Sequence, residues 1–200
     1  MNTFLKPKVL SCLHIWQQNT RKSLYAQQYI LSTNPSLFDL ILIQEPWIDS
    51  QGNIRGNHHW CILCPSNKHL DGQPSTRSII LVNTNISTDS YTALDIPNND
   101  ITAIQLKGEF GHCTLFNVYN DCTNNCSTDA LKLYLDTNPN KVLPHPLDHM
   151  FWCGNFNRHH PLWEEDKNCR LFNNNNLINP LLDLINEHEM VLALPPGIST

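Results

Sequence analysis

The chain has 200 residues, which suits a single domain, and 40% of them are hydrophobic, which is enough for a core and excludes an intrinsically disordered chain. Its formal net charge of −5, from 13 basic and 18 acidic residues, argues against broad electrostatic attraction to nucleic acid, although a local basic patch is compatible with it. No apolar run approaches the ~18 residues of a membrane span, and the first residues lack the layout of a signal peptide. We therefore expect an intracellular protein, in the nucleus or cytoplasm, with no membrane partner.

Short strands and a few helices alternate along the predicted chain. Strands are predicted over residues 8–16, 38–47, 77–83, 100–106, 112–120 and 148–155, with a last one beginning at 191–194. The run at 38–47 is continuously apolar, as in a strand buried on both faces. Helices are predicted over residues 23–32, 127–137 and 179–190. Ser23 is the candidate N-cap of the first helix, and Ser127 or Thr128 that of the second. The asparagine tract at 173–176 predicts a loop.

Polar side chains gather where the predicted strands end. This order of elements, with no internal repeat and no linker, predicts a mixed α/β layered sandwich. Polar residues beside the ends of buried strands are the usual components of a shared site at one edge of such a sandwich. The residues at these ends are Asn19, Glu45, Tyr119, Asn120, Asn155 and Asn157.

The eight cysteines are expected to be free thiols, because nothing in the sequence indicates secretion. Cys61 and Cys64 form a C-x-x-C pair that could be half of a zinc site, with Cys122 and Cys126 as the other half. The gap between these pairs is long, and no histidine stands at a standard zinc spacing. Structural zinc therefore remains the alternative to free thiols.

Four motifs occur in order: "WQQNTRKS", "LILIQEPW", "FNVYN" and "CGNFNRHHPLW". Together they resemble the motifs of the endonuclease/exonuclease/phosphatase superfamily, which has the DNase I-like fold. More narrowly, they resemble the endonuclease domain of non-LTR (LINE-type) retrotransposons, whose motifs read N-x-x-x-S, Q-E-P, N-x-Y and G-D-F-N-x-H-H-P-x-W. The resemblance covers nearly the whole chain and implies one domain over residues 1–200, built as a four-layer αββα sandwich.

The resemblance also implies a reaction, the hydrolysis of phosphodiester bonds in DNA with Mg²⁺, which Mn²⁺ can replace. Glu45 matches the metal-binding glutamate, and Mg²⁺ keeps several waters, so one or two protein carboxylates can suffice. Asn19 matches an asparagine near the metal and the phosphate, and Tyr119 a tyrosine that contacts the scissile phosphate. Asn157 matches the asparagine that helps to hold the phosphorus and the attacking water.

Three further residues are candidates for substrate binding, namely Asn120, Arg158 and His159. His159 and His160 are adjacent, and neighbouring residues on an extended segment point in opposite directions. Loop packing and hydrogen bonding are therefore the competing interpretation of this histidine pair.

Two departures from the family's pattern predict an impaired enzyme. Asn155 stands where the family has the aspartate that orients and deprotonates the attacking water. An amide cannot accept that proton, and general-base catalysis contributes a factor of roughly 10²–10⁴. The family also continues with further strands, which carry a catalytic aspartate and a serine–aspartate–histidine motif. Neither is found here, where the last histidine is His188. We expect a truncated domain that lacks its C-terminal strands, binds Mg²⁺ weakly and self-associates through an incomplete sheet.

Two other functional interpretations remain open. A non-catalytic nucleic-acid-binding module would contact backbone phosphates through its cations, although the net charge weakens this interpretation. The cations concerned are Arg21, Lys22, Arg77, Arg158 and Arg170. A gene relic without any selected function is the third interpretation.

Overall fold

Two four-stranded sheets and four α-helices make up the part of the chain that the computed structural model describes, residues 12–65, 75–165, 168 and 175–193. The strands are β1 (Ile15–Asn19), β2 (Leu40–Gln44), β3 (Trp60–Leu63), β4 (Ser78–Asn83), β5 (Tyr91–Leu94), β6 (Ile101–Gly108), β7 (Gly111–Tyr119) and β8 (His149–Asn155). The helices are α1 (Leu24–Ser32), α2 (Cys126–Thr137), α3 (Pro139–Val142) and α4 (Asn175–Glu187).

Each sheet contains one parallel pair of strands at its edge. The first sheet has the order β1-β2-β4-β3, and the second has the order β5-β6-β7-β8. The β1–β2 and β7–β8 pairs are parallel and all the other pairs are antiparallel. The two sheets pack face to face, with β1 and β2 near β8 and with β4 near β6 and β7. The two parallel pairs therefore lie on the same side of the sandwich.

Three apolar cores separate four layers of structure. Successive side chains of a strand point to opposite faces, so the continuous apolar run of β2 serves two cores. Leu40 and Leu42 pack between the sheets, whereas Ile41 and Ile43 pack with Ile30 of α1 on the outer face. The third core lies between the second sheet and helices α2 and α4. This arrangement confirms the predicted α/β, four-layer αββα sandwich.

The first predicted strand is displaced along the chain. Residues 8–16 were expected to be extended, but β1 begins only at Ile15 and runs to Asn19, and residues 12–14 are not in a strand. Residues 8–11 lie outside the described ranges. The strand follows its pairing with β2, in which Asn19 lies beside Gln44, so tertiary contacts outweigh the local apolar pattern here.

The C-terminal strand expected at 191–194 does not form over 191–193, where Val191 is 86% exposed. Two short strands, β3 and β5, were not predicted from the sequence. Each has only four residues, and β5 exposes two of them, so neither gives a clear apolar period. The other predicted strands match β2, β4, β6, β7 and β8.

The helix ends differ in detail from the prediction. Ser23 caps α1 as expected, because its side chain accepts a hydrogen bond from the Ala26 N–H at 3.2 Å. The expected caps of α2, Ser127 and Thr128, lie instead inside its first turn and are buried. Asn124 supplies a hydrogen bond to the start of that helix, since its Oδ1 accepts from the Cys126 N–H at 3.0 Å.

Helix α4 begins within the tract that was predicted to be a loop. Residues 175 and 176 are helical, so Pro180 lies inside the helix. A proline has no N–H to donate to the carbonyl four residues earlier, here that of Asn176. The Asn125 side chain donates to this carbonyl at 3.0 Å. A tertiary contact thus replaces the missing helical bond, which local sequence rules cannot predict.

The cysteines in the described residues are free, and two of them lie in the apolar interior. Burial raises the pKa values of Cys113 and Cys153 to about 11, so both stay protonated thiols at neutral pH. Within the described ranges, no three metal-ligating side chains come together, and no helix is long and apolar enough to span a bilayer.

Candidate active site at the rim of the sandwich

The predicted site residues meet where the parallel strand pairs end. Asn19 at the end of β1 lies beside Gln44 of β2, one residue before Glu45. In the second sheet, Tyr119 at the end of β7 lies beside Asn155 at the end of β8. Because these pairs face each other across the sandwich, their carboxyl ends form one polar surface, which we call the rim.

Glu45 lies at the rim with its backbone in the left-handed region (φ +48°). Its Oε1 accepts a hydrogen bond from Asn19 Nδ2 at 3.1 Å, and its backbone carbonyl accepts one from Thr20 Oγ1 at 2.7 Å. No cationic side chain in the described ranges forms an ion pair with this carboxylate. Among the described residues, neutral groups alone therefore contact the Glu45 carboxylate.

Tyr119 approaches Glu45 from the second sheet. Burial and then its interaction with the Glu45 carboxylate raise the pKa of the Tyr119 phenol. The phenol therefore remains protonated at neutral pH and can donate a hydrogen bond. Its ring carries a cation on one face, since the guanidinium carbon of Arg77 lies 4.6 Å from the ring centroid.

Arg77 connects Tyr119 to two carboxylates that the sequence analysis did not identify. Its Nε and Nη2 donate to Asp100 at 2.7 and 2.6 Å, and its Nη1 donates to Asp121 at 2.7 Å. Hydrogen bonding to Asp100 raises the pKa of Arg77 above its ordinary value. Hydrogen bonds from Thr123 and then from Arg77 lower the pKa of Asp121 to about 2.

Three asparagines bind one another through backbone groups at the β8 side of the rim. Asn155 Oδ1 accepts from the Asn157 N–H at 3.1 Å, and Asn157 Nδ2 donates to the Asn120 carbonyl at 2.6 Å. The Asn120 N–H in turn donates to the Asn155 carbonyl at 2.9 Å. The Asn120 side chain is fully buried, and its amide has no hydrogen-bond partner among the described residues. Its contact with substrate stays a prediction.

Gly154 explains how β8 reaches this position. Its φ is +134°, and a Cβ built there would lie 1.9 Å from the Val118 carbonyl oxygen. Only glycine allows such a close approach of β8 to β7 at this point. The glycine before Asn155 thus brings the end of β8 against the end of β7.

Arg158 and His159, both predicted to bind substrate, have partners within the chain. Arg158 is 4% exposed, and its guanidinium donates to the carbonyls of Asp121, Asn124, Asn157 and Leu177. His159 Nδ1 lies 2.6 Å from Glu164 Oε1. A phosphate contact by Arg158 would require these carbonyls to lose their donor, and the roles of both residues stay predictions.

A buried polar link joins the two sheets directly behind the rim. Gln44 and Asn117 are both fully buried, and Gln44 Nε2 donates to Asn117 Oδ1. Asn117 Nδ2 also donates to the carbonyls of Ile43 at 3.1 Å and Ile79 at 2.8 Å. Gln44 precedes Glu45, and Asn117 is two residues before Tyr119. The link therefore ties together the strand ends that carry these two site residues.

Backbone strain concentrates at the rim. Five non-glycine residues in the described ranges have a left-handed φ, and four of them lie in the loops around the site. These four are Arg21, Lys22, Glu45 and Asn157. Strained residues of this kind persist where the surrounding structure determines them, and they cluster at functional sites.

The residues that the sequence analysis overlooked share one signal with those that it found. Asp100 directly precedes β6, as the candidate cation Arg77 precedes β4, and Asp121 follows β7 by two residues. In antiparallel neighbours, the start of one strand lies beside the end of the next. Polar residues before β4 and β6 were therefore as informative as those after β2 and β7.

Two mixed sheets packed between helices, with a polar rim at the ends of their parallel pairs, define the DNase I-like fold. The chain is similar in structure to the endonuclease domain of TRAS1, a telomere-specific non-LTR retrotransposon, with a TM-score of 0.67. The two are 13% identical in sequence, and the match covers 94% of this chain and 76% of the TRAS1 chain.

Weaker likenesses involve a humanized D. rerio TDP2 and beta toxin from Staphylococcus aureus. The TDP2 structure has a TM-score of 0.43 and 13% identity, with 74% of this chain and 63% of that chain covered. The beta toxin has a TM-score of 0.46 and 10% identity, with 85% and 71% covered. No protein-family model matches the sequence, and none of the curated proteins does.

Proposed function

We propose that this chain is a metal-dependent phosphodiester hydrolase acting on DNA, with an activity impaired at Asn155. The observation that carries the proposal is the meeting of Asn19, Glu45 and Tyr119 at the rim. The similar TRAS1 domain is described as an endonuclease, which supports DNA as the substrate.

The donor set at the rim fits a hard divalent cation, though weakly. Glu45 offers a carboxylate that no cation in the described part of the chain neutralises, whereas Asp100 and Asp121 are already paired with Arg77. Mg²⁺ prefers oxygen ligands and retains several waters, so one carboxylate can hold it loosely. When bound, such a cation would neutralise charge on the phosphate.

The neutral residues of the rim suit the phosphate itself. The protonated Tyr119 phenol can donate a hydrogen bond to a phosphate oxygen. Asn19 and Asn157 carry further amide donors at the rim, although these now contact Glu45 and the Asn120 carbonyl. Asn155 can orient a water through its amide but cannot accept the water's proton, which is why we expect slow turnover.

A purely binding function has little support from the described cations. Arg77 already pairs with two carboxylates, and Arg158 already donates hydrogen bonds to backbone carbonyls. Arg170 lies outside the described ranges. Arg21 and Lys22 remain exposed next to Asn19, where they can contact the DNA backbone beside the cleaved bond.

A nicking assay on supercoiled plasmid, with Mg²⁺ or Mn²⁺, tests this proposal. We expect slow, metal-dependent nicking that Glu45→Gln abolishes. Glu109→Gln is the matched control, because Glu109 lies in the turn between β6 and β7 and should leave nicking unchanged. If the wild-type chain never exceeds the protein-free background with either metal, the proposed activity is rejected.

Salt dependence of DNA binding then separates the remaining interpretations. Contacts with several phosphates give a steep loss of affinity as salt rises. A chain that binds with such a slope but does not nick is a binding module, and a chain that does neither fits the relic.

A further inference from the structure

The guanidinium of Arg77 is held on three sides, by two carboxylates and an aromatic ring. Asp100 takes two of its donors in a bidentate pair, Asp121 takes a third, and the Tyr119 ring lies against its face. The Arg77 side chain is 28% exposed, so it is largely withdrawn from solvent. Such a planar, forked group cannot rotate without breaking the bidentate pair.

The partners of Arg77 come from separate parts of the sandwich. Asp100 and Asp121 lie 23 and 44 residues further along the chain. The backbone adds two bonds, from the Glu45 N–H to the Arg77 carbonyl and from the Tyr119 N–H to the Asp100 carbonyl, each at 2.8 Å. Arg77 therefore stands between the strand end that carries Glu45 and the strand end that carries Tyr119.

The position of the Tyr119 phenol depends on the orientation of its ring. One end of the ring is fixed by the backbone, and Arg77 covers one of its faces. A ring free to turn about its side-chain bonds would carry its hydroxyl away from Glu45. A cation held rigidly against one face restricts that motion and attracts the ring.

We propose that Arg77 is a positioning residue, which holds the Tyr119 ring so that its phenol faces Glu45 and the substrate phosphate. The catalytic consequence rests on the proposed function, but the placement of the ring does not. Arg77 itself need not touch the substrate, since Asp100 and Asp121 take three of its five N–H donors and hold the guanidinium in place.

A purely structural alternative is that Arg77 only stabilises the loops that carry the two aspartates. Loss of Arg77 would then lower stability without any specific effect on Tyr119. The two alternatives therefore differ in whether a substitution at Arg77 changes the orientation of the Tyr119 ring.

The first experiment is NMR of ring-labelled tyrosines, with Tyr119→Phe used to assign the Tyr119 signals. Tyr25 and Tyr29 are 82% and 69% exposed and supply the reference for loosely held rings. We expect Arg77→Lys, which keeps the charge but loses the fork, to move the Tyr119 signals towards this reference. Arg55→Met is the matched control, because Arg55 lies 5.1 Å from the Trp47 ring and should leave Tyr119 unmoved.

A second variant guards against misfolding. Removing Arg77 alone would leave two carboxylates unpaired, so Arg77→Met is combined with Asp100→Asn and Asp121→Asn. We expect this triple variant to give the same Tyr119 shifts as Arg77→Lys. Unchanged Tyr119 signals in either folded variant would overturn the proposal, whether or not the chain has nuclease activity.

The second experiment measures plasmid nicking in a double-mutant cycle. Arg77→Lys should lower kcat/KM between about threefold and thirtyfold, the range expected from a cation–ring contact. In the Tyr119→Phe background the same change should have almost no effect, because the phenol is already absent. An equal loss in both backgrounds would show that Arg77 acts independently of Tyr119 and refute the positioning role. Absence of nicking in every variant rejects the proposed function, while the ring signals still decide the role of Arg77.

Discussion

Asn155 has the shape of an aspartate but neither its charge nor its basicity, and its Oδ1 already accepts the Asn157 N–H. An aspartate could make the same hydrogen bond, so Asn155→Asp should fold normally. We nevertheless expect plasmid nicking by this 200-residue chain to rise less than about tenfold, since groups that act as one unit are not additive. The sequence contains no serine–aspartate–histidine motif to assist the new carboxylate.

A large gain in nicking from Asn155→Asp alone would contradict this expectation. Robust Mg²⁺-dependent nicking by Asn155→Asp, abolished when Glu45→Gln is added, would mean that Asn155 is the sole defect. Adding a segment with the serine–aspartate–histidine motif from a related endonuclease domain, alone and together with Asn155→Asp, measures the cooperation directly. We expect a large gain in nicking from the combination and only a small gain over wild type from either change alone.

Asp121 should make stability depend on acid pH. Its folded pKa of about 2 lies below its ordinary value of 3.8, so it stabilises the fold above pH 3.8 and loses that effect as the pH falls towards 2. This shift in the pKa of Asp121 corresponds to roughly 2 kcal/mol in the free energy of unfolding. Urea unfolding should therefore find wild type more stable than Asp121→Asn by a constant amount between pH 5 and 7, and by less at pH 3. A difference that stays flat down to pH 3 would contradict the assigned pKa.

Single site residues could be predicted only where a motif marked them. Glu45 and Tyr119 lie in ordered motifs, and the structure brings both to the rim. Arg77 was a candidate only as a phosphate-binding cation, and no motif indicated its pairing with Asp100 and Asp121, which are distant in sequence. Long-range side-chain pairs have no periodicity, so they become visible only once the sheets are assembled.

At the scale of elements, Gly154 shows what the end of β8 requires. Gly154→Ala should destabilise the fold by about 2 kcal/mol or more, because its Cβ would collide with the Val118 backbone. Gly52 is the matched control, since it also has a positive φ (+82°) but meets nothing within 4 Å. Gly52→Ala should cost only about 1 kcal/mol of backbone strain. Thermal unfolding of both variants compares the two costs, and equal losses would contradict the collision.

The predictability of each element follows from how it is buried. Strand β2 is buried on both faces and was found from its unbroken apolar run. Strand β5 has two exposed residues among its four and gives no comparable pattern. Helix α4 contains Pro180, whose missing hydrogen bond is replaced by the side chain of Asn125, just before α2. The sequence therefore predicted a helix that starts later than the observed one.

The molecule as a whole has two strand edges on one side, since β1 and β8 are the outer strands of their sheets. Beside β1 lies an apolar groove of about 380 Å³, lined by residues that include Trp16, Tyr29 and Phe38. No further strand of the described ranges pairs with either edge, and unpaired edges next to apolar surface favour association between copies. We expect sedimentation velocity to show self-association that grows with concentration.

Two charge substitutions locate the surface responsible for this association. Tyr29→Glu places a charge in the groove and should shift the chain towards monomer. Leu133→Glu is the matched control, because Leu133 is 65% exposed, close to the 69% of Tyr29, but lies on α2. A chain that stays monomeric at every concentration, or that responds equally to both changes, would argue against this surface.

Arg158 ties together three segments of chain, and this has a consequence for the order of folding. Three of its four carbonyl partners lie 19 to 37 residues away, in the loop after β7 and in the first turn of α4. We expect these contacts to form after the folding transition state, so Arg158→Met should speed unfolding by ~tenfold or more while barely slowing refolding. Stopped-flow measurements across urea test this, and a refolding arm that slows equally would place Arg158 in the folding nucleus instead. In the expected case, the rim is the last part of the molecule to assemble and the first to open, and the lifetime of the site depends on one guanidinium.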